Sequence, residues 1–188
     1  MGPMRILIIL CALSFTATAQ IARGGGMFYH LGVGRVTLPD GEARGAGAGL
    51  GGRIAFGLTP SFRVGGMGFS TGFDYRSRVG LPQSLFSLRC GGLTAEYGIV
   101  LSALRFSAGV LVGGGSTRNL HIHEQRADTL TVTYRRDATM ILMPLALAEY
   151  RVRTAMSLAV MVDWILGTAI GLGRSYGPRV NIGVLFER

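Results

Sequence analysis

Residues 155–164 read Ala-Met-Ser-Leu-Ala-Val-Met-Val-Asp-Trp. Met156, Leu158, Val160, Val162 and Trp164 are large and apolar. Ala155, Ser157, Ala159, Met161 and Asp163, between them, are mostly small and partly polar. In an extended chain, alternate side chains point to opposite faces. One face therefore suits hydrocarbon and the other a narrow, crowded, partly polar interior, the pattern of a β-strand that crosses a bilayer as part of a barrel.

The same two-residue rhythm recurs along the chain. Met27–Val36 places Met27, Tyr29, Leu31 and Val33 opposite Phe28, His30, Gly32 and Gly34. Leu50–Leu58 sets Ile54, Phe56 and Leu58 against Arg53, Ala55 and Gly57. Phe62–Phe69 returns after a tight turn at Thr59-Pro60-Ser61. Leu85–Tyr97 follows the polar stretch Gly72–Gln83, with a bulge expected at Gly91-Gly92. A turn near Leu101-Ser102 leads to Arg105–Gly114. Met140–Arg151, Ala155–Leu166 and Arg179–Phe186 complete the set, Val180, Ile182, Val184 and Phe186 opposing Asn181, Gly183 and Leu185. Pro144 is awkward within its strand because it cannot donate to the ladder. Ser116–Asp137, the longest polar insertion, contains the alternating piece Thr129–Tyr134 and predicts strand extensions beyond the membrane.

Eight strands of near-bilayer length predict an all-β fold: a closed antiparallel up-and-down barrel of the transmembrane type, over 20–188. Crossing at a tilt takes about 9–11 residues per strand, and closure removes the unpaired edges. A barrel this small is filled by side chains, with no open channel.

Composition agrees. Apolar residues make up 48% and charged residues 15%, against about 25% charged in a typical soluble domain. The thirty glycines follow no collagen-like period and argue against helices, where each costs about 1 kcal/mol relative to alanine. The net charge of +9 rests wholly on arginine. Only Arg135-Arg136 are adjacent, so there is no basic run of the kind that marks nucleic-acid binding. Met1–Ala19 has Arg5, the apolar run Ile6–Phe15 and the small residues Ala17-Thr18-Ala19, the features of a cleavable export signal. Cleavage would leave Cys90 as the one thiol and rule out an internal disulfide.

Several motifs compete with this reading. Gly47-Ala48-Gly49-Leu50-Gly51-Gly52 satisfies G-x-G-x-x-G, yet a strand-like segment follows it where a dinucleotide site needs a helix. Gly167-Thr168-Ala169-Ile170-Gly171 matches the helix-packing G-x-x-x-G. With only Asp163 charged in 155–173, a transmembrane helix is the rival for that stretch. His121 and His123 share a face in an extended segment and are candidate zinc or copper ligands, for which a third ligand would have to come from Glu124, Asp128 or another loop. No serine stands in a nucleophile motif, and no cofactor is expected.

Parity places Arg53, Arg63, Arg105, Glu149 and Asp163 inside the barrel; Arg89 is a further interior candidate whose side depends on the bulge expected near it. Charges inside a barrel need opposite partners, so Asp163 and Glu149 are expected to pair with two or more of these arginines and to plug the lumen.

An export signal, about eight alternating strands and a terminal apolar strand resemble the small outer-membrane β-barrel proteins of Gram-negative bacteria, over Gln20–Arg188. The resemblance implies the bacterial outer membrane as location, and membrane lipid and the outer-membrane insertion machinery as partners. That machinery reads a terminal aromatic residue; here Phe186 precedes Glu187-Arg188, so the signal is displaced. Phe62–Phe69 and Gly91–Tyr97 are also similar to a glycine-rich pattern in uncharacterised exported bacterial proteins. The function expected is a non-enzymatic outer-membrane barrel, plugged by side chains, with a structural or surface-binding role through its loops. The alternatives are a soluble exported barrel or sandwich around an apolar ligand, and a lipid-modifying enzyme with its site at the rim.

Overall fold

A computed structural model describes residues 23–38, 41–75, 83–126, 129–169 and 177–187. The strands are β1 (Arg23–Leu38), β2 (Gly41–Gly57), β3 (Phe62–Tyr75), β4 (Ser84–Leu101), β5 (Leu104–Arg126) and β6 (Thr129–Arg153). β7 is in two pieces, Met156–Trp164 and Leu166–Ala169, and β8 is Pro178–Glu187. Each strand pairs antiparallel with the next, and β8 pairs with β1 from Gly24↔Glu187 to Gly32↔Arg179. The sheet is thus a closed ring of eight strands. The proposed export signal lies outside the described residues.

The alternation that suggested the fold sets its faces. Along β7, Ser157, Ala159, Met161 and Asp163 are buried, while Leu158, Val160, Val162 and Trp164 are exposed. Outward residues elsewhere include Met27, Ile54, Leu93, Val112 and Ile182, each more than half exposed. Tyr97, Phe106, Tyr150 and Phe186 stand outward near the short-turn end and Trp164 near the other. An apolar band with aromatic residues towards its margins is the surface of a barrel set in hydrocarbon. A soluble barrel would present polar side chains on this outer face.

Several expectations need correction. Residues 156–164 and 166–169 are strand, so the helix rival is excluded over that range. The formal G-x-G-x-x-G lies within β2 and forms no phosphate-binding loop. β4 carries no bulge at Gly91-Gly92: Gly91 pairs with Gly68 and Gly114, and Gly92 with Met67 and Gly113, in unbroken register. The lumen is also less polar than expected. Phe28, Phe86, Leu88, Leu111, Met143 and Met161 fill it, all almost fully buried.

Pro144 faces outward and pairs with Val110. On its other side the β6–β7 ladder lapses at Ile165, between Leu145↔Asp163 and Leu142↔Leu166. Both halves of β7 keep one register, and the gap lies opposite Met143 and Pro144, where a donor is missing from β6.

Short turns close one end. Thr59 Oγ1 accepts from the Phe62 amide at 2.9 Å in the β2–β3 turn, and Ser102 takes a positive φ of 57° in the β4–β5 turn. At the other end β5 and β6 run on together to Arg126↔Thr129, a hairpin rising past the rest of the ring. This is the extension expected of Ser116–Asp137, and a β-bulge lies between Ile122 and Glu124.

Candidate functional site

The interior charges fall into two groups. Towards the short-turn end, Arg53 of β2 donates from Nη2 to Glu96 Oε2 of β4 at 2.9 Å, with both side chains almost wholly buried. Arg63 of β3 reaches across the lumen and donates from Nη1 to both oxygens of Glu149 on β6, at 3.1 and 3.0 Å. Arg63 and Glu96 are direct cross-strand partners, as are Arg105 and Glu149. Arg105 also donates to the carbonyl oxygens of Pro60 and Ser61, at 2.7 and 3.4 Å, tying its guanidinium to the β2–β3 turn.

The second group lies higher. Arg179 of β8 grips Asp163 of β7 as a fork, Nε to Oδ1 at 2.8 Å and Nη2 to Oδ2 at 3.0 Å. Asn181 donates to Asp163 Oδ2 at 2.8 Å and to the Met161 carbonyl at 3.1 Å. The guanidinium carbon of Arg179 stands 3.8 Å from the centre of the Phe69 ring, a cation–π contact in a site shielded from water. His30 packs edge-on to the same ring, with centroids 5.9 Å apart.

The expected residues thus divide. Arg53, Arg63, Arg105, Glu149 and Asp163 all point inward, and Glu149 holds Arg63. Asp163 does not pair with any of the arginines named from the sequence; its partner is Arg179. Arg89 faces outward and is exposed, because the absent bulge leaves it on the parity of Leu93 and Tyr97. Arg179, Glu96 and Asn181 were missed, although each shares its strand's inward parity: Arg179 with Asn181, and Glu96 with Thr94.

A smaller polar cluster lies at the long-loop mouth. Tyr75 donates from its hydroxyl to Asn119 Oδ1 at 2.7 Å and lies 3.1 Å from His121 Nδ1. The His121 and His123 rings meet edge-on at 4.4 Å, and His123 Nε2 is 2.8 Å from Thr133 Oγ1. Burial raises the Tyr75 phenol above its ordinary pKa, against the lowering effect of its bonds to Asn119 and Ser84. No group of three or more potential metal ligands occurs among the described residues.

No family model and no curated protein matches this chain. Solved structures do. Ail, the attachment invasion locus protein of Yersinia pestis, solved with the heparin analogue sucrose octasulfate, aligns with a TM-score of 0.59 at 10% identity, over 90% of this chain and 100% of that one. Neisserial surface protein A aligns with a TM-score of 0.54 at 13% identity, over 88% and 96%. The outer membrane protein OprG of Pseudomonas aeruginosa aligns with a TM-score of 0.53 at 13% identity, over 90% and 96%. The fold of this chain is that of the small outer-membrane β-barrels.

Proposed function

We propose that the protein is a non-enzymatic barrel of the bacterial outer membrane, carried there by its N-terminal signal, with a lumen plugged by side chains and a surface role borne by its long-loop end. The observation that carries this reading is the double ion-pair layer, Arg53–Glu96 with Arg63–Glu149 and then Asp163–Arg179, set among Leu88, Leu111, Met143 and Met161. Arg63–Glu149 reaches from β3 to β6 and Arg53–Glu96 from β2 to β4, while Asp163–Arg179 joins neighbouring strands, and together with the apolar side chains these pairs support a lumen occupied by side chains. A structural role is also favoured by His30, whose ring is fully buried and packs edge-on to Phe69, with neither ring nitrogen hydrogen-bonded to a described residue.

The surface role is supported by the β5–β6 hairpin. Its outer strand pairs continue beyond Ser116↔Ala138, and both faces of 129–136 are exposed. A paired arm holds a binding surface at lower entropic cost than a flexible loop.

Fractionation with a carbonate wash and gel mobility before and after boiling test the placement. The barrel stays with the outer membrane and runs faster unboiled; recovery in the periplasmic fraction would overturn the reading. Replacing 119–135 with an Asn-Gly turn leaves the barrel folded and abolishes surface binding of cells to host or matrix material. Ohmic conductance of the wild type in planar bilayers would contradict the plug.

A further inference from the structure

Outside the lumen, three arginines share one patch of wall. Arg89 of β4, Arg118 of β5 and Arg136 of β6 all project outward on adjacent strands. Arg118 and Arg136 are direct cross-strand partners, and Arg89 pairs with Ser116, two residues from Arg118. Like charges placed opposite one another destabilise a sheet. None of the three forms an ion pair with a described residue, and Arg118 Nε is buried without a hydrogen-bond partner among the described residues. An anion from outside the chain would relieve all three.

Lower on the same side of the wall, across β2–β5, lies an apolar groove of about 1110 Å³. Ile54, Phe56, Leu93 and Val112 form its walls, and Gly66 and Gly68 its floor. These glycines differ from those facing inward. A Cβ at Gly65, Gly92 or Gly113 would overlap neighbouring backbone, whereas at Gly66 or Gly68 the nearest atom would lie 3.7 or 3.6 Å away. The barrel's own packing does not demand a missing side chain at either position. Ser70 and Arg89 are paired above the upper end of the groove, and Gly68 lies two residues from Ser70. Arg89 thus stands two residues up the ladder from the groove's upper end, and Arg118 and Arg136 follow on the next two strands towards the long-loop margin.

We infer that this face seats one phosphorylated lipid of the outer leaflet, its phosphate held by Arg89, Arg118 and Arg136 and one acyl chain lying in the groove over Gly66 and Gly68. Charge complementarity selects the headgroup, since guanidinium forks match phosphate oxygens, and the groove selects a long chain. The inference rests on the barrel's being embedded in a bilayer.

Native mass spectrometry of the whole purified barrel tests it, with dipalmitoyl phosphatidic acid, dipalmitoyl phosphatidylcholine or inorganic phosphate added. Phosphatidic acid is retained about tenfold more tightly than phosphatidylcholine, the discrimination that one good charge-assisted contact supplies. Arg118→Gln/Arg136→Gln abolishes the preference and Arg118→Lys/Arg136→Lys keeps most of it. Gly66→Leu/Gly68→Leu, which fills the groove, weakens phosphatidic acid about tenfold. Equal retention of the two lipids by the wild type overturns the site, whether or not the variants fold. So does displacement of phosphatidic acid by millimolar inorganic phosphate, which would make it a phosphate site only, or undiminished binding to a folded Gly66→Leu/Gly68→Leu variant. A wild type that does not insert into liposomes defeats the membrane placement; one that inserts without lipid preference defeats only the lipid site.

Discussion

Arg179 and Asp163 are direct cross-strand partners on β8 and β7, and their side chains meet through two parallel hydrogen bonds of 2.8 and 3.0 Å. Both are almost completely removed from solvent. Each charge is therefore tolerable only in the presence of the other.

Removing one partner strands the other. Asp163→Ala is expected to destabilise the barrel by about 3–5 kcal/mol, the usual penalty for an orphaned buried charge. The double change Asp163→Leu/Arg179→Met should be far milder, because an apolar pair of similar volume needs no solvation. Urea unfolding in micelles, followed by Trp164 fluorescence, compares the two. A single variant as stable as the wild type would deny the pair its structural role.

The lower pairs are coupled across the lumen, so Arg63→Ala and Glu149→Ala should not be additive. A coupling energy of about 1–3 kcal/mol is expected for side chains in direct contact. It should fall below that of Asp163–Arg179, since Arg63 retains 13% exposure. A double-mutant cycle on unfolding midpoints measures it, and additivity within error would contradict the contact.

Glycine substitutions should divide by face. At Gly49 an added Cβ would meet the Ser70 carbonyl and the His30 ring, and at Gly34 and Gly45, which pair with each other, the Phe73 ring lies across both. Gly49→Ala and Gly45→Ala should lower stability by about 1–3 kcal/mol through overpacking. Gly66→Ala, on the outer face, should be neutral or slightly stabilising, because alanine loses less backbone freedom on folding. Gel-shift melting curves for the three variants would show the ordering.

Tyr75 gives a pH signature. Its phenol is raised above the ordinary value of 10.0 by burial. The folded form thus holds its proton more firmly than the unfolded one. The stabilisation is complete below pH 10 and is lost as pH rises from there through the folded value. Titration at 295 nm should show one tyrosine ionising late, and Tyr75→Phe should remove that step and flatten the alkaline loss of stability.

The two-residue rhythm made the strand count and the lipid face legible, since Leu158, Val160 and Val162 leave little choice of side. Strand length was harder to read. The alternating piece Thr129–Tyr134 predicted that β5 and β6 extend, but the polar side chains around it did not show that pairing runs unbroken from the barrel to Arg126↔Thr129 save for one bulge. Arg89 was ambiguous because Gly91-Gly92 resembles a bulge, yet these glycines pair with Gly68, Gly113 and Gly114 on neighbouring strands. Their purpose shows only across the sheet. Arg179 escaped notice because it opens its strand beside a glycine-rich stretch, and the faces were followed only from Val180 and Asn181 onward. The apolar lumen was also hidden: Met161 and Leu147 have inward parity, but their size gave no hint that the interior would take them.

The Asp163–Arg179 fork has a bearing on assembly. A slip of one residue between β7 and β8 would swing Arg179 or Asp163 out into hydrocarbon. The final hairpin thereby carries its own alignment key, and β8 can present a correctly indexed edge to β1 when the cylinder is sealed.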